Sequence, residues 1–329
     1  MYRRNLLFVL LLMLLFSISN AESRGHFIAN AVKAVGSGND RTNIYDKLAI
    51  VSYERHKQIN DIWVQAKYGN FRLGGNKNSK GDFEDNIGGF NFGYGRELKK
   101  NISMGLFGKY DSHSVSQEKS SAYVNSYGIG AHGGYLYEEF DFKGIVSFSG
   151  QQYCVMRDAG IYGKGRSDFN GYDINADLEA AYWFETPHMI NIRPYAGLNL
   201  GYTGYGSSSE IGAGTANLKT DSGSFSRNAF RLGTGVNGKY EKIGWYGGLE
   251  CEYILSGRYA KIKSKTSGTN AKIKSAGAET NAAVLGINAG GDYDISSDLK
   301  AYANLVYKVT GGLSDFSGSV GAVFVFDSF

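Results

Sequence analysis

Proline is almost missing from this chain of 329 residues, with only Pro187 and Pro194 present. Pro-rich linkers and polyproline segments are thereby excluded. Cysteine is as scarce. Cys154 and Cys251 are the only two, one near an expected loop and one in mid-strand. They are read as free thiols, which excludes a disulfide-stapled scaffold. The five histidines (His26, His56, His113, His132, His188) show no metal-ligand spacing, and no cofactor is expected. No apolar run beyond residue 21 approaches the ~20 residues of a membrane helix. Among the longest is AAVLGI at 282–287, so a helical membrane protein is excluded. Charge of one sign is lacking too: 35 basic residues, two of them in the first four, stand against 31 acidic ones. Nothing there calls for a nucleic-acid partner.

What the chain does have is glycine and aromatics: 46 Gly, 24 Tyr and 19 Phe, at a mean hydropathy of −0.29. Glycine is about twice its usual ~7%, but no G-x-y period is present, so collagen is out. That many rings argue against disorder. The remainder is a polar-leaning, Gly- and Tyr-rich, all-β chain.

Residues 1–21 form a secretory signal peptide. Arg3 and Arg4 make its basic start, Leu6 to Phe16 its apolar run, and Ser19 and Ala21 its small residues before the cut. Residues 22–41 are a short linker or residual passenger, although HFIANAVKAV (26–35) inside it is helix-like. In 42–58, Ile44, Leu48 and Val51 recur at helical spacing, with Thr42 or Asn43 as the cap. This predicts a helix about 22–25 Å long.

From residue 60 the period becomes two. In 172–184, Tyr172, Ile174, Ala176, Leu178, Ala180, Tyr182 and Phe184 alternate with Asp173, Asn175, Asp177 and Glu179. In 243–255, Trp245, Leu249, Cys251 and Tyr253 alternate with Glu250 and Glu252. Such strands exceed the ~5–6 residues usual in soluble sheets and suit the ~9–11 of a membrane crossing. Twelve strands are predicted: 61–72, 84–96, 102–112, 121–136, 140–152, 168–184, 190–206, 225–239, 243–257, 278–293, 298–309 and 316–329. Turns at 98–101, 138–141, 185–189, 240–243 and 294–298 alternate with longer loops at 73–83, 112–121, 152–167, 206–224 and 257–278. Only 310–315 is short for its side. This is the asymmetry of an outer-membrane barrel, with turns inside and loops outside. Phe140, Tyr172, Phe184, Tyr202 and Tyr253 fall near strand ends, as an aromatic girdle requires. Phe329 supplies the terminal aromatic of a C-terminal insertion signal, although Asp327 stands where an apolar residue or Tyr is usual.

The ordered set IWVQAKYG (62–69), SMGLFGKY (103–110), SYGIGAHGGYLY (126–137), GYDINADLEAAYWF (171–184), IRPYAGLNLGY (192–202), FRLGTGVNGKY (230–240) and WYGGLECEYILSG (245–257) resembles the translocator β-domain of autotransporters (type V secretion). The resemblance covers residues 60–329 and implies an all-β, 12-stranded antiparallel transmembrane β-barrel. It implies a pore helix at 42–59 inside the lumen, insertion by the barrel-assembly machinery, and contact with outer-membrane lipid and lipopolysaccharide. It implies a monomer that anchors and conducts a passenger polypeptide to the cell surface. Lumen carboxylates Asp173, Asp177, Glu179, Glu250 and Glu252 would then face the helix cations Lys47, Arg55 and Lys57, the alternative being a hydrated wall without specific pairs. Trp63, Tyr110, Arg193 and Tyr195 join Glu179 and Glu250 as structural or lumen positions. Some family members cleave at Asn before the barrel, where Asn39-Asp40 and Asn60-Asp61 lie. With about 20 residues between leader and helix, three readings stay open: a stand-alone barrel, a translocator with its passenger encoded elsewhere, or a remnant.

The chain is not expected to be an enzyme. Asp111-Ser112-His113 sits at an expected rim, but general-base work needs convergent groups. The loop KIKSKTSGTNAKIK (261–274) carries five Lys and no acid. It fits lipopolysaccharide phosphates or host polyanions, and so a porin-like or adhesin barrel as the alternative.

Overall fold

The computed structural model describes residues 27–35, 59–74, 82–99, 101–186, 190–269 and 271–327. Twelve antiparallel strands form the wall: β1 (Ile59–Leu73), β2 (Phe83–Lys99), β3 (Ile102–Gln117), β4 (Ser120–Tyr137), β5 (Phe140–Asp158), β6 (Lys164–Tyr182), β7 (Ile190–Tyr205), β8 (Gly223–Tyr240), β9 (Ile243–Ser256), β10 (Ala283–Asp294), β11 (Leu299–Thr310) and β12 (Leu313–Asp327). Each pairs with its neighbour, and β1 closes on β12 from Ile59↔Asp327 to Leu73↔Leu313. Closure leaves the wall no open edge.

The period of two sets the two faces. Outside, Leu106, Ala131, Val146, Ala176 and Leu200 are in direct register across five strands. Above that row the rings of Tyr110 and Tyr127 meet at a tilt, 5.1 Å apart, and those of Tyr172 and Tyr202 at 6.1 Å. Below it, Tyr135 meets Phe142 at 6.4 Å and Phe140 meets Tyr182 at 5.0 Å. Tyr127 and Tyr135 lie on one strand, about 27 Å apart at the usual rise. Two aromatic belts thus bound an apolar band suited to a bilayer. Beyond the upper belt the outer face turns polar, with Ser112, Ser114 and Ser116 on β3. The band ends there.

The strands run 12 to 19 residues, and the extra length rises at the end away from the chain's β1 and β12 termini, the far end. This corrects two expected loops. Residues 112–121 are a hairpin with a two-residue turn at 118–119, and 152–167 shrinks to 159–163 around a 3₁₀ turn. Their alternating residues continue the ladder past the membrane band, where polarity no longer marks a strand's end. The far-end connections 206–222 and 257–282 are not open loops either. Strands 208–209, 218–220, 261–266 and 272–276 form a separate four-stranded sheet, here called the lid.

A helix, α1 (27–35), lies inside the far mouth. Its sequence FIANAVKAV is apolar nearly all round, the pattern of a helix buried on every side. Phe27, Ile28, Ala29, Ala31 and Val32 are buried against Phe71, Phe83, Val124 and Tyr153 of the wall and Ile262 of the lid. The helix therefore stands within the stretch expected to be linker. The pore helix predicted at 42–58 lies outside the described residues, as do His26, His56, His188, the leader and Phe329. Ile59, assigned to that helix, begins β1.

Candidate functional site in the barrel lumen

Among the described residues, three structures fill or cover the lumen: α1, a charge network on the wall, and the lid. In α1, Asn30 and Lys33 are three apart and so share one face. They carry the polar contacts of an otherwise apolar plug. Asn30 Nδ2 donates to Gln117 Oε1 at 2.8 Å, and its Oδ1 accepts the Ala278 N–H at 2.6 Å. Lys33 Nζ donates to Ala278 O at 2.7 Å and Thr280 Oγ1 at 2.5 Å. A β-carbon at Gly277 would stand 2.6 Å from Asn30 Oδ1 and 3.3 Å from Ala29 Cβ. Glycine there lets the lid-to-β10 segment touch the helix backbone.

The wall network centres on Arg231. Register explains it: Arg231 sits opposite Gly197, and Gly197 sits opposite Glu179. With no side chain at 197, the guanidinium reaches two strands over, and a β-carbon there would lie 2.7 Å from Nη2. Arg231 pairs with Asp177, with Glu179 at 3.3 Å and with Glu250 at 3.3 Å. Arg193 joins Glu179 at 2.6 Å to Asp141 at 3.2 Å, and Lys143 meets the same Asp141 at 3.2 Å. Tyr195 donates to Glu250 at 3.0 Å. Arg227 and Lys308 hold Glu252, the latter at 3.6 Å. Thr203 Oγ1 donates to Asp173 at 2.7 Å. Burying one charge costs several kcal/mol unless it is paired, so such groups persist where a network satisfies them.

All five expected carboxylates (Asp173, Asp177, Glu179, Glu250, Glu252) thus face the lumen, with polar partners on the wall. Their expected helix partners Lys47, Arg55 and Lys57 lie outside the described residues. Arg193, Tyr195 and the buried Trp63 also face inward, whereas Tyr110 belongs to the outer belt. Sequence reasoning missed Arg231 as a hub. Its signal was an Arg between Phe230 and Leu232, on the polar parity of a strand flanked by acidic ones. It also missed the clasp of the lid. Arg157 of β5 donates to both oxygens of Glu210, at 2.7 and 2.5 Å, and both side chains are buried.

The rim motif Asp111-Ser112-His113 does not converge. His113 Nδ1 meets Asp85 at 2.9 Å and Lys67 meets Asp111 at 2.7 Å, both inside the lumen. Ser112 lies between them on the opposite parity, facing outward. Among the described residues no cluster of His, Cys, Asp or Glu has the makings of a metal site. Cys154 and Cys251 are free thiols.

The autotransporter β-domain family model matches residues 62–306. The fold is that of the translocator domain of the autotransporter NalP from Neisseria meningitidis, at a TM-score of 0.71 and 14% identity over 91% of this chain and 98% of that one. The β-domain of the Bordetella autotransporter BrkA aligns at 0.60 and 13%, over 80% and 98%. The transport unit of AIDA-I from Escherichia coli aligns at 0.55 and 12%, over 94% and 99%. No curated protein matches the chain by sequence. With the match spanning most of the barrel, and the wall closed in twelve strands around a short N-terminal helix, the chain belongs to the autotransporter β-domain family of outer-membrane translocators.

Proposed function

We propose that this barrel anchors in the outer membrane and carries its own N-terminal segment through the lumen to the cell surface. The observation that carries this reading is the seat of α1. The helix precedes β1 in the chain, yet its partners Gln117, Ala278 and Thr280 all lie at the far end of the wall. Strand β1 begins at the opposite end, where Ile59 pairs with Asp327. The far end carries the long loops, and in this family that end faces the outside. The 23 residues at 36–58 therefore have the length of the lumen to cover, and as a helix they would span about 35 Å. The reading puts the pore helix of 42–58 there, with Lys47, Arg55 and Lys57 toward the wall carboxylates. It makes residues before α1 the surface-exposed passenger remnant.

The same reading makes residues 1–21 a cleaved export leader and β12 with Phe329 the segment met by the barrel-assembly machinery. It has the barrel act as a monomer in lipid and lipopolysaccharide, with no chemistry of its own. An epitope inserted after Ser23 tests it. Antibody added to intact cells should label that epitope. Labelling only after the outer membrane is permeabilised would overturn the assignment.

A further inference from the structure

The lid presents a face that the plug does not use. In the hairpin 261–266/272–276, Ile262, Ser264, Ile273 and Ser275 are buried. Ile262 belongs to the apolar cluster around α1, and Tyr205 Oη donates to Lys261 O at 3.1 Å. That side covers the mouth, so the other side points away from the lumen. On it stand Lys219, Lys261, Lys263, Lys265, Lys272 and Lys274, five exposed and Lys265 half-buried. Register sets Lys263 opposite Lys274, Lys265 opposite Lys272 and Lys219 opposite Lys265.

Like charges directly opposed on a sheet destabilise it. Three such contacts occur here, and none of the six lysines has an ion-pair partner among the described residues. Protection of sheet edges explains lysines on outer strands, but three of the six stand on the interior strand 261–266. Strand spacing of about 4.8 Å and an i, i+2 step of about 6.7 Å make this a flat cationic grid roughly 10 by 13 Å. A face of that kind is stabilised by a ligand with repeated anions along its length.

The lysine ammoniums are point charges that attract phosphate and sulfate alike, so the neighbours and direction of the grid narrow the ligand. The grid has no free aromatic platform for a base, since the neighbouring Tyr259 ring lies under the Lys261 ammonium at 5.1 Å. Its direction, away from the mouth and wall, turns it from the headgroups of its own membrane. We propose that the lysine face of the lid is a docking surface for a sulfated polysaccharide chain presented from outside the cell. This surface stands whether or not the barrel carries a passenger.

The test uses the full mature chain, folded in detergent, on immobilised heparin with a salt gradient. Wild type should be retained, and binding should fall steeply with salt. K219Q/K261Q/K263Q/K272Q/K274Q should lose about tenfold or more in affinity at 0.15 M salt. Its salt slope should drop by roughly one for each lysine that contacts an anion. The control K99Q/K119Q/K164Q/K242Q removes exposed lysines elsewhere and should bind like wild type. The lid variant is expected to keep the heat-modifiable gel shift of a folded barrel, because it relieves repulsion. Equal retention of the two variants would overturn the proposal. So would equal or tighter binding of unsulfated hyaluronan, duplex DNA or lipopolysaccharide vesicles in competition.

Discussion

Asn30 and Ala278 meet inside the far mouth, the helix side chain accepting the backbone N–H at 2.6 Å across the gap left by Gly277. That contact ties an element preceding the barrel to a segment leading into its tenth strand. Gly277→Val should therefore unseat α1 without unfolding the wall. Overpacking of this kind costs about 1–3 kcal/mol. Limited proteolysis from the outer side should cut within 27–35 in the variant and spare wild type, while the gel shift of the folded barrel is unchanged. Equal protection in both would refute the contact.

Lys33 makes the plug sensitive to pH. Burial, aided by the Arg227 and Arg258 guanidiniums and opposed by the Glu279 carboxylate, brings its ammonium from 10.5 down to about 7. Between those values the docked helix holds fewer protons than the free one. Docking is weakest below pH 7 and strengthens as pH rises toward 10.5, by at most about 1.4 kcal/mol per pH unit. Amide exchange in α1 should slow accordingly from pH 7 to 9, after correction for the intrinsic rate. Lys33→Met should show no such trend. A wild-type trend of opposite sign would contradict the assignment.

The Arg231 hub serves three carboxylates at once. Arg231→Met takes the shared guanidinium from Asp177, Glu179 and Glu250, and removing one partner of a buried network costs about 3–5 kcal/mol. Glu250→Gln keeps Arg231 paired to the other two acids and should cost about 1 kcal/mol. Urea unfolding in detergent micelles or liposomes measures both. The ranking matters more than the values: equal losses would mean that Arg231 is not the centre.

The aromatic belts set the limits of the bilayer. Leu106 faces lipid four residues below Tyr110, and Ser114 faces outward four residues above it. Leu106→Arg should cost about 2–4 kcal/mol in a bilayer, and Ser114→Arg close to nothing. Equal costs, measured by unfolding from vesicles, would move the membrane boundary.

The wall was legible in the sequence because a strand between lipid and a wet lumen must alternate, and Asp173 to Phe184 or Trp245 to Tyr253 can be read from parity alone. Strand ends at the far side were not legible. Above Tyr110 and Tyr127 the outer face turns polar, so Ser112 to Gln117 looked like a loop. The plug was half legible: FIANAVKAV reads as a helix, but only its neighbours show that it is enclosed. Arg231 was hidden because its partners come through the register, across Gly197, and not through sequence spacing. The lid was hidden for the same reason. Its strands come from two separate connections, held by the Arg157–Glu210 pair.

The central claim is that the chain before β1 occupies the lumen up to its far mouth. Single-channel conductance in a planar bilayer tests this most directly. The intact mature barrel should stay closed, and a chain lacking residues 22–58 should conduct steadily. An intact barrel that conducts as freely as the deleted one would contradict the account.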